Sequence, residues 1–121
     1  MSPKRHSSLA AKRHEPAPVF AALGDKTRLA LVARLCTGRQ PYSISELTRA
    51  ELTRGHNLTR QAITKHLRVL ERVGIIHGIR TGRESRFEFV PGPLEAAKQY
   101  LDLVSEEWGR TLSRLKSFVE D

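Results

Sequence analysis

Only one cysteine, Cys36, occurs among the 121 residues, so no disulfide can form within a chain, and a four-thiolate zinc site within one chain is excluded. No apolar run approaches the ~18 residues that a membrane span needs. The first fourteen residues are basic but hold no apolar stretch of the kind a signal peptide requires. No phosphate-binding glycine loop occurs, and no nucleophile, base and orienting group can be placed together, which argues against an enzyme and gives no reason to expect a cofactor. These absences predict a cytoplasmic, non-enzymatic protein without membrane contact.

Acidic residues are also scarce, 13 against 21 Lys and Arg, and the imbalance is uneven. Residues 1–90 carry 17 basic and 7 acidic side chains, whereas residues 91–121 carry 4 and 6. A polyanionic partner is expected on one part of the molecule only. A length of 121 residues suits one domain that buries a core without staples. The expected organisation is a mobile basic tail over residues 1–15 and one folded domain over residues 16–119. The tail reads either as terminal disorder or as an arm that adds phosphate contacts.

Helical signals begin at Pro18, with Val19, Phe20 and Leu23 forming a short apolar patch up to Gly24. Asp25 is a good N-cap for a helix from Lys26 to about Cys36. Its apolar face is read as Leu29, Val32, Leu35 and Cys36, which makes Cys36 a buried structural thiol. Ser43 and Glu46 have capping-box spacing and start a second helix carrying Ile44, Leu47 and Leu52, running out near Gly55-His56-Asn57.

The segment from Asn57 to Gly74 is the most informative. With Thr59 as N-cap and about 100° per residue, Ala62, Ile63, Leu67, Val69, Leu70 and Val73 share one arc, with His66 at its edge. Arg60, Gln61, Thr64, Lys65, Arg68, Glu71 and Arg72 fill the opposite arc. A charged arc can be merely a solvated face, but this one is nearly all of one sign, whereas solubility alone normally mixes signs. His66 reads either as a packed histidine bonded to a neighbour or as a base contact, the former preferred. His56 and His77 are isolated, and no two histidines share metal-ligand spacing on one helix.

Beyond Gly74 two β-type runs, Ile75 to Arg80 and Ser85 to Val90, flank a hairpin tip at Thr81-Gly82-Arg83-Glu84. Arg80, Arg83 and Arg86 make the hairpin basic and are expected within reach of one another. After Pro91-Gly92-Pro93, Leu94, Ala97, Leu101, Val104, Trp108, Leu112, Leu115 and Val119 alternate spacings of three and four along one long helix. Their seam is roughly 37 Å long at 1.5 Å per residue, too long for so small a domain to cover, so subunit pairing is expected.

Helix, helix and hairpin in that order predict a mainly α chain with a small β-hairpin wing, an α+β winged helix-turn-helix. The second helix of the pair then enters the major groove of double-stranded DNA. Gln61 suits adenine, Arg68 or Arg60 suits guanine, and Thr64 can reach a base or a phosphate. Lys65 and Arg72 suit phosphates, and the wing arginines a neighbouring backbone or minor groove. A protein- or RNA-interaction module that uses the basic face for steering is the alternative.

The motifs Leu23-Gly24-Asp25-Lys26-Thr27-Arg28-Leu29, Ile44-Ser45-Glu46-Leu47, Leu58-Thr59-Arg60-Gln61-Ala62-Ile63-Thr64-Lys65-His66-Leu67-Arg68-Val69-Leu70-Glu71 and Gly74-Ile75-Ile76 resemble the ArsR/SmtB family of bacterial transcriptional repressors. The resemblance covers about residues 17–119. It implies a homodimer joined through its first and last helices, with Phe20 among the contacts, on a twofold-symmetric operator. Where many members carry a pair of metal-sensing cysteines, Ser43 and Ser45 stand here, and hydroxyls are poor ligands for soft metals. Residues 91–121 hold no His or Cys, and Asp102 with Glu106 reads as a solvated face. No metal is expected, and the tail with Tyr100, Trp108, Leu112, Leu115 and Phe118 is similar to a metal-independent branch. Thr48 to Asn57 is longer than the family's usual turn.

Overall fold

A computed structural model of the chain describes residues 15–55 and 57–120, without the side chains of residues 52 and 53. The expected tail, apart from Glu15, lies outside the described residues, as do His56 and the side chain of Leu52. The chain forms α1 (Pro16–Leu23), α2 (Lys26–Thr37), β1 (Tyr42–Ser43), α3 (Ile44–Thr53), α4 (Arg60–Arg72), β2 (Ile76–Thr81), β3 (Glu84–Phe89) and α5 (Gly92–Glu120). This is the expected mainly α architecture with a small β wing.

Local chemistry starts each helix near its observed boundary. Pro16 begins α1, where its missing N–H costs nothing. The Asp25 carboxylate accepts the Arg28 N–H at 3.0 Å and caps α2. The capping box before α3 is complete: Ser43 N donates to Glu46 Oε1 at 2.8 Å and Glu46 N to Ser43 Oγ at 3.1 Å. Helix α4 ends in a Schellman motif, with Gly74 N bonded to Glu71 O and Ile75 N to Leu70 O, and with Gly74 at φ 81°.

The wing is a three-stranded antiparallel sheet in the order β1-β3-β2. Thr81 pairs with Glu84 across a two-residue loop. Its first residue, Gly82, has φ 62°, as a type II′ turn requires. Strand β1, which pairs Tyr42 with Phe87 and Ser43 with Arg86, is not foreseen from the sequence because two residues after a proline show no periodicity.

The core joins Val19 and Ala22 of α1, Leu31, Val32 and Leu35 of α2, and Leu47 of α3 to Ile63, Leu67 and Leu70 of α4. Ile75 and Ile76 beside the wing, Phe87 and Ala97 complete it. The expected α2 face holds at Val32 and Leu35, which are buried, and is corrected at its other two members. Leu31 is buried, whereas Leu29 is 52% exposed and Cys36 is exposed, its thiol donating to Ala33 O. The cause is Arg28, which turns inward because its Nε reaches Ala22 O at 2.6 Å.

Candidate nucleic-acid interface

Thr59 caps α4 by accepting the Ala62 N–H at 3.0 Å. From that fixed start the helix buries Ile63, Leu67 and Leu70 completely. Packing of these three against α2 and α3 fixes the rotation of α4 about its axis, and Arg60, Gln61, Lys65, Arg68 and Arg72 are therefore exposed together. Thr64 is half-buried, and its hydroxyl donates to Arg60 O at 2.8 Å. One Arg60 nitrogen donates to Ser45 Oγ at 2.8 Å, which ties the start of α4 to the first turn of α3 and leaves other guanidinium donors available.

His66 is packed and partnered, the reading preferred from sequence. Its Nδ1 accepts from Arg28 at 3.1 Å and lies 3.7 Å from Asp25 Oδ2. A guanidinium only donates, so Nδ1 is the acceptor here. The Arg28 N–H holds the Asp25 carboxyl below its ordinary value, helped by the Arg28 charge and opposed by burial. Through Arg28 the end of α1, the cap of α2 and the inner edge of α4 are joined.

The wing divides its three arginines. Arg83 sits exposed in the loop, and Arg80 is exposed on β2. Opposite Ser85, Arg80 shares the sheet face that turns toward α4. A cleft of about 250 Å³ between α4 and this face is lined by Thr64, Arg68, Glu71, Gly78, Arg80 and Phe87 among others. Arg86 is on the other face, so the expected grouping of the three arginines is corrected. Its guanidinium bonds Pro41 O at 2.9 Å, Glu46 at 3.1 Å and Glu84 at 3.0 Å, and so binds β3 to the start of α3. Glu46 is held below the ordinary carboxylate range mainly by the Ser43 N–H, against burial, with further help from the Ser43 hydroxyl and Arg86.

Both serines at the family's cysteine positions are engaged within the chain, Ser43 by Glu46 N and Ser45 by Arg60. Among the described residues no group of three or more His, Cys, Asp or Glu could hold a metal ion. Nor, among them, is any helix long and apolar enough to cross a membrane.

Helix α5 has 29 residues and spans about 43 Å, and only its start packs on the domain. Pro93 and Ala97 are buried, Leu94 leans on the core, and the rings of Phe20 and Tyr100 meet at 6.0 Å and 60°. Ala97, expected at a dimer interface, is only 4% exposed and belongs to the core of the chain itself. Leu101, Val104, Trp108, Leu112 and Leu115 are exposed along one side.

Three contributors have no foreseen role: Ser45, which anchors Arg60; Arg28, which anchors His66; and Glu71, whose Oε2 accepts the Gly78 N–H at 3.2 Å. The motif spacing marks their positions but not these partners.

A helix pair whose second member presents a cationic arc, followed by a hairpin with basic residues, defines the winged helix-turn-helix class of DNA-binding proteins. Residues 23–79 match the helix-turn-helix domain family. Over 78 residues the chain is 38% identical to the uncharacterized HTH-type transcriptional regulator YuzN of Bacillus subtilis strain 168, covering 64% of this chain and 84% of that protein. It is similar to the solved structure of an ArsR-like transcriptional regulator from Rhodococcus sp. RHA1, with TM-score 0.68 and 32% identity over 99% of this chain and 97% of that one. A second solved ArsR family transcriptional regulator gives TM-score 0.64 and 29% identity over 76% and 88% of the two chains. The protein belongs to the ArsR-like family of winged helix-turn-helix transcriptional regulators.

Proposed function

We propose that the chain is a cytoplasmic homodimeric repressor that binds a twofold-symmetric operator and performs no chemical catalysis. Residues 59–72 enter the major groove of each half-site. Gln61 and Arg68 or Arg60 read base edges, Thr64 lies at the groove wall, and Lys65 and Arg72 neutralise phosphates. Arg80 and Arg83 reach the neighbouring backbone or minor groove, and Arg86 acts as a brace for the wing rather than as a contact. The observation that carries the reading is the arc of Arg60, Gln61, Lys65, Arg68 and Arg72, all exposed on a helix whose opposite face is sealed into the core.

Dimerisation follows from α5, because so long a row of exposed large apolar side chains is unfavourable in water and is covered most simply by a second copy. Phe20, Leu101, Val104, Trp108, Leu112 and Leu115 form the pairing surface. Metal does not control it through the family's sites, since Ser43 and Ser45 have no thiolate to offer and their hydroxyls serve the α3 cap and Arg60.

Selection of duplexes from a random pool by the purified protein at fixed salt tests this. Recovered sequences with twofold symmetry and half-site centres about one helical turn, ~34–36 Å, or a multiple apart are the expected result. Recovery of no common sequence would instead mark an interaction module that uses its charge for steering.

A further inference from the structure

Glu71 is the one acidic residue on an otherwise basic arc, between Arg68 and Arg72 in sequence, where a carboxylate repels the phosphates that its neighbours attract. Its geometry gives it a different task. In the wing, Thr81 and Glu84 close the two-residue loop as a hydrogen-bonded pair, and bonded and non-bonded pairs alternate from there. Ile79 with Arg86 and His77 with Glu88 are then bonded pairs, while Gly78 opposite Phe87 turns its N–H away from β3. Strand β2 is at the sheet edge, so that N–H emerges on the open side. There it meets Glu71 Oε2 at 3.2 Å.

The approach depends on glycine. A Cβ at position 78 would lie 2.8 Å from Glu71 Oε2 and 3.4 Å from a Phe87 ring carbon. The last turn of α4 and the wing edge are therefore joined by one carboxylate and one bare backbone position, at the wall of the cleft lined by Arg68 and Arg80.

We propose that Glu71, acting through Gly78, is a positioning residue that sets the spacing between recognition helix and wing, so that Arg80 and Arg83 meet the DNA backbone while α4 occupies the groove. This rests on the DNA-contact reading above. The repulsion that Glu71 exerts on phosphate is the cost of that registration, and the two effects separate by substitution. Glu71→Gln keeps a carbonyl acceptor and removes the charge. Glu71→Ala removes both. Gly78→Ala keeps the charge and displaces the carboxylate, and because the crowded atom ends a flexible side chain, the fold survives.

The test uses a duplex selected with the wild-type protein and the same duplex shortened at both ends beneath the wing; the affinity ratio of long to short measures the wing's contribution. Glu71→Gln is expected to bind both about two- to fivefold tighter at low salt with the ratio unchanged. Glu71→Ala and Gly78→Ala are expected to lower the ratio about threefold, and the double variant no further than Glu71→Ala alone. Amide exchange at Gly78 should quicken in Glu71→Ala and stay slow in Glu71→Gln. Arg83→Ala separates the two layers of inference. If it lowers the ratio while Glu71→Ala and Gly78→Ala do not, the positioning role is wrong. If Arg83→Ala leaves the ratio unchanged, the wing contact on which it rests is wrong.

Discussion

Replacing Glu46 by alanine removes the point at which α3, β1 and β3 are fastened together. Glu46 Oε1 accepts the Ser43 N–H at 2.8 Å and an Arg86 N–H at 3.1 Å. Ser43 is only 4% exposed, so its amide loses its acceptor without free access to water, a cost of about 1–2 kcal/mol. The Arg86 pair, with side chains 33% and 44% exposed, adds a few tenths at most, roughly 0.5 kcal/mol. The sum is about 2 kcal/mol, which for a domain of this size lowers Tm by about 8 °C. Because the Glu46 carboxyl is held below its ordinary value, its stabilisation is complete above the unfolded carboxylate range and disappears as pH falls through the folded value. The Tm gap between wild type and Glu46→Ala, followed by circular dichroism, should therefore be full at pH 7 and shrink below about pH 4. The contribution of Asp25 is common to both proteins and cancels. Glu46→Gln, which retains an acceptor, should fall between them with little pH dependence. A gap of equal size at pH 7 and pH 3.5, or no gap at all, would refute the reasoning.

Three further outcomes are expected. Leu67→Ala, at a fully buried position between α4 and the core, should cost about 2–5 kcal/mol in denaturant unfolding. Leu112→Glu should convert a particle of twice 13.7 kDa into one of 13.7 kDa in light scattering; a wild-type monomer would contradict the pairing surface. Lys65→Ala should weaken binding to all duplexes alike and reduce the salt slope by about 1, whereas an effect confined to one sequence would make Lys65 a base reader.

Helix α4 is legible because every residue of its period agrees with one face, and the caps at Asp25, Ser43 with Glu46, and Thr59 are legible because each acts within three residues. Features set by distant partners are not. The inward turn of Arg28 depends on Ala22 O and on His66, 38 residues away, and it leaves Leu29 and Cys36 outside. Arg86 resembles Arg80 and Arg83 in sequence, but strand alternation and the proximity of Glu46, 40 residues earlier, give it a bracing task. The sharing of α5 between core and exterior is equally hidden: Ala97 and Leu101 obey one periodicity, yet Ala97 is buried and Leu101 is exposed.

Fluorescence anisotropy with the selected duplex and a scrambled duplex, at one stated salt concentration, tests the central claim most directly, that the exposed arc of α4 reads DNA sequence. The wild-type protein should prefer the selected duplex by at least about 10³-fold. Gln61→Ala and Arg68→Ala should each erode that preference by about 1–3 kcal/mol while leaving affinity for the scrambled duplex far less changed. A preference near one for the wild type, or an undiminished preference in both variants, would contradict it.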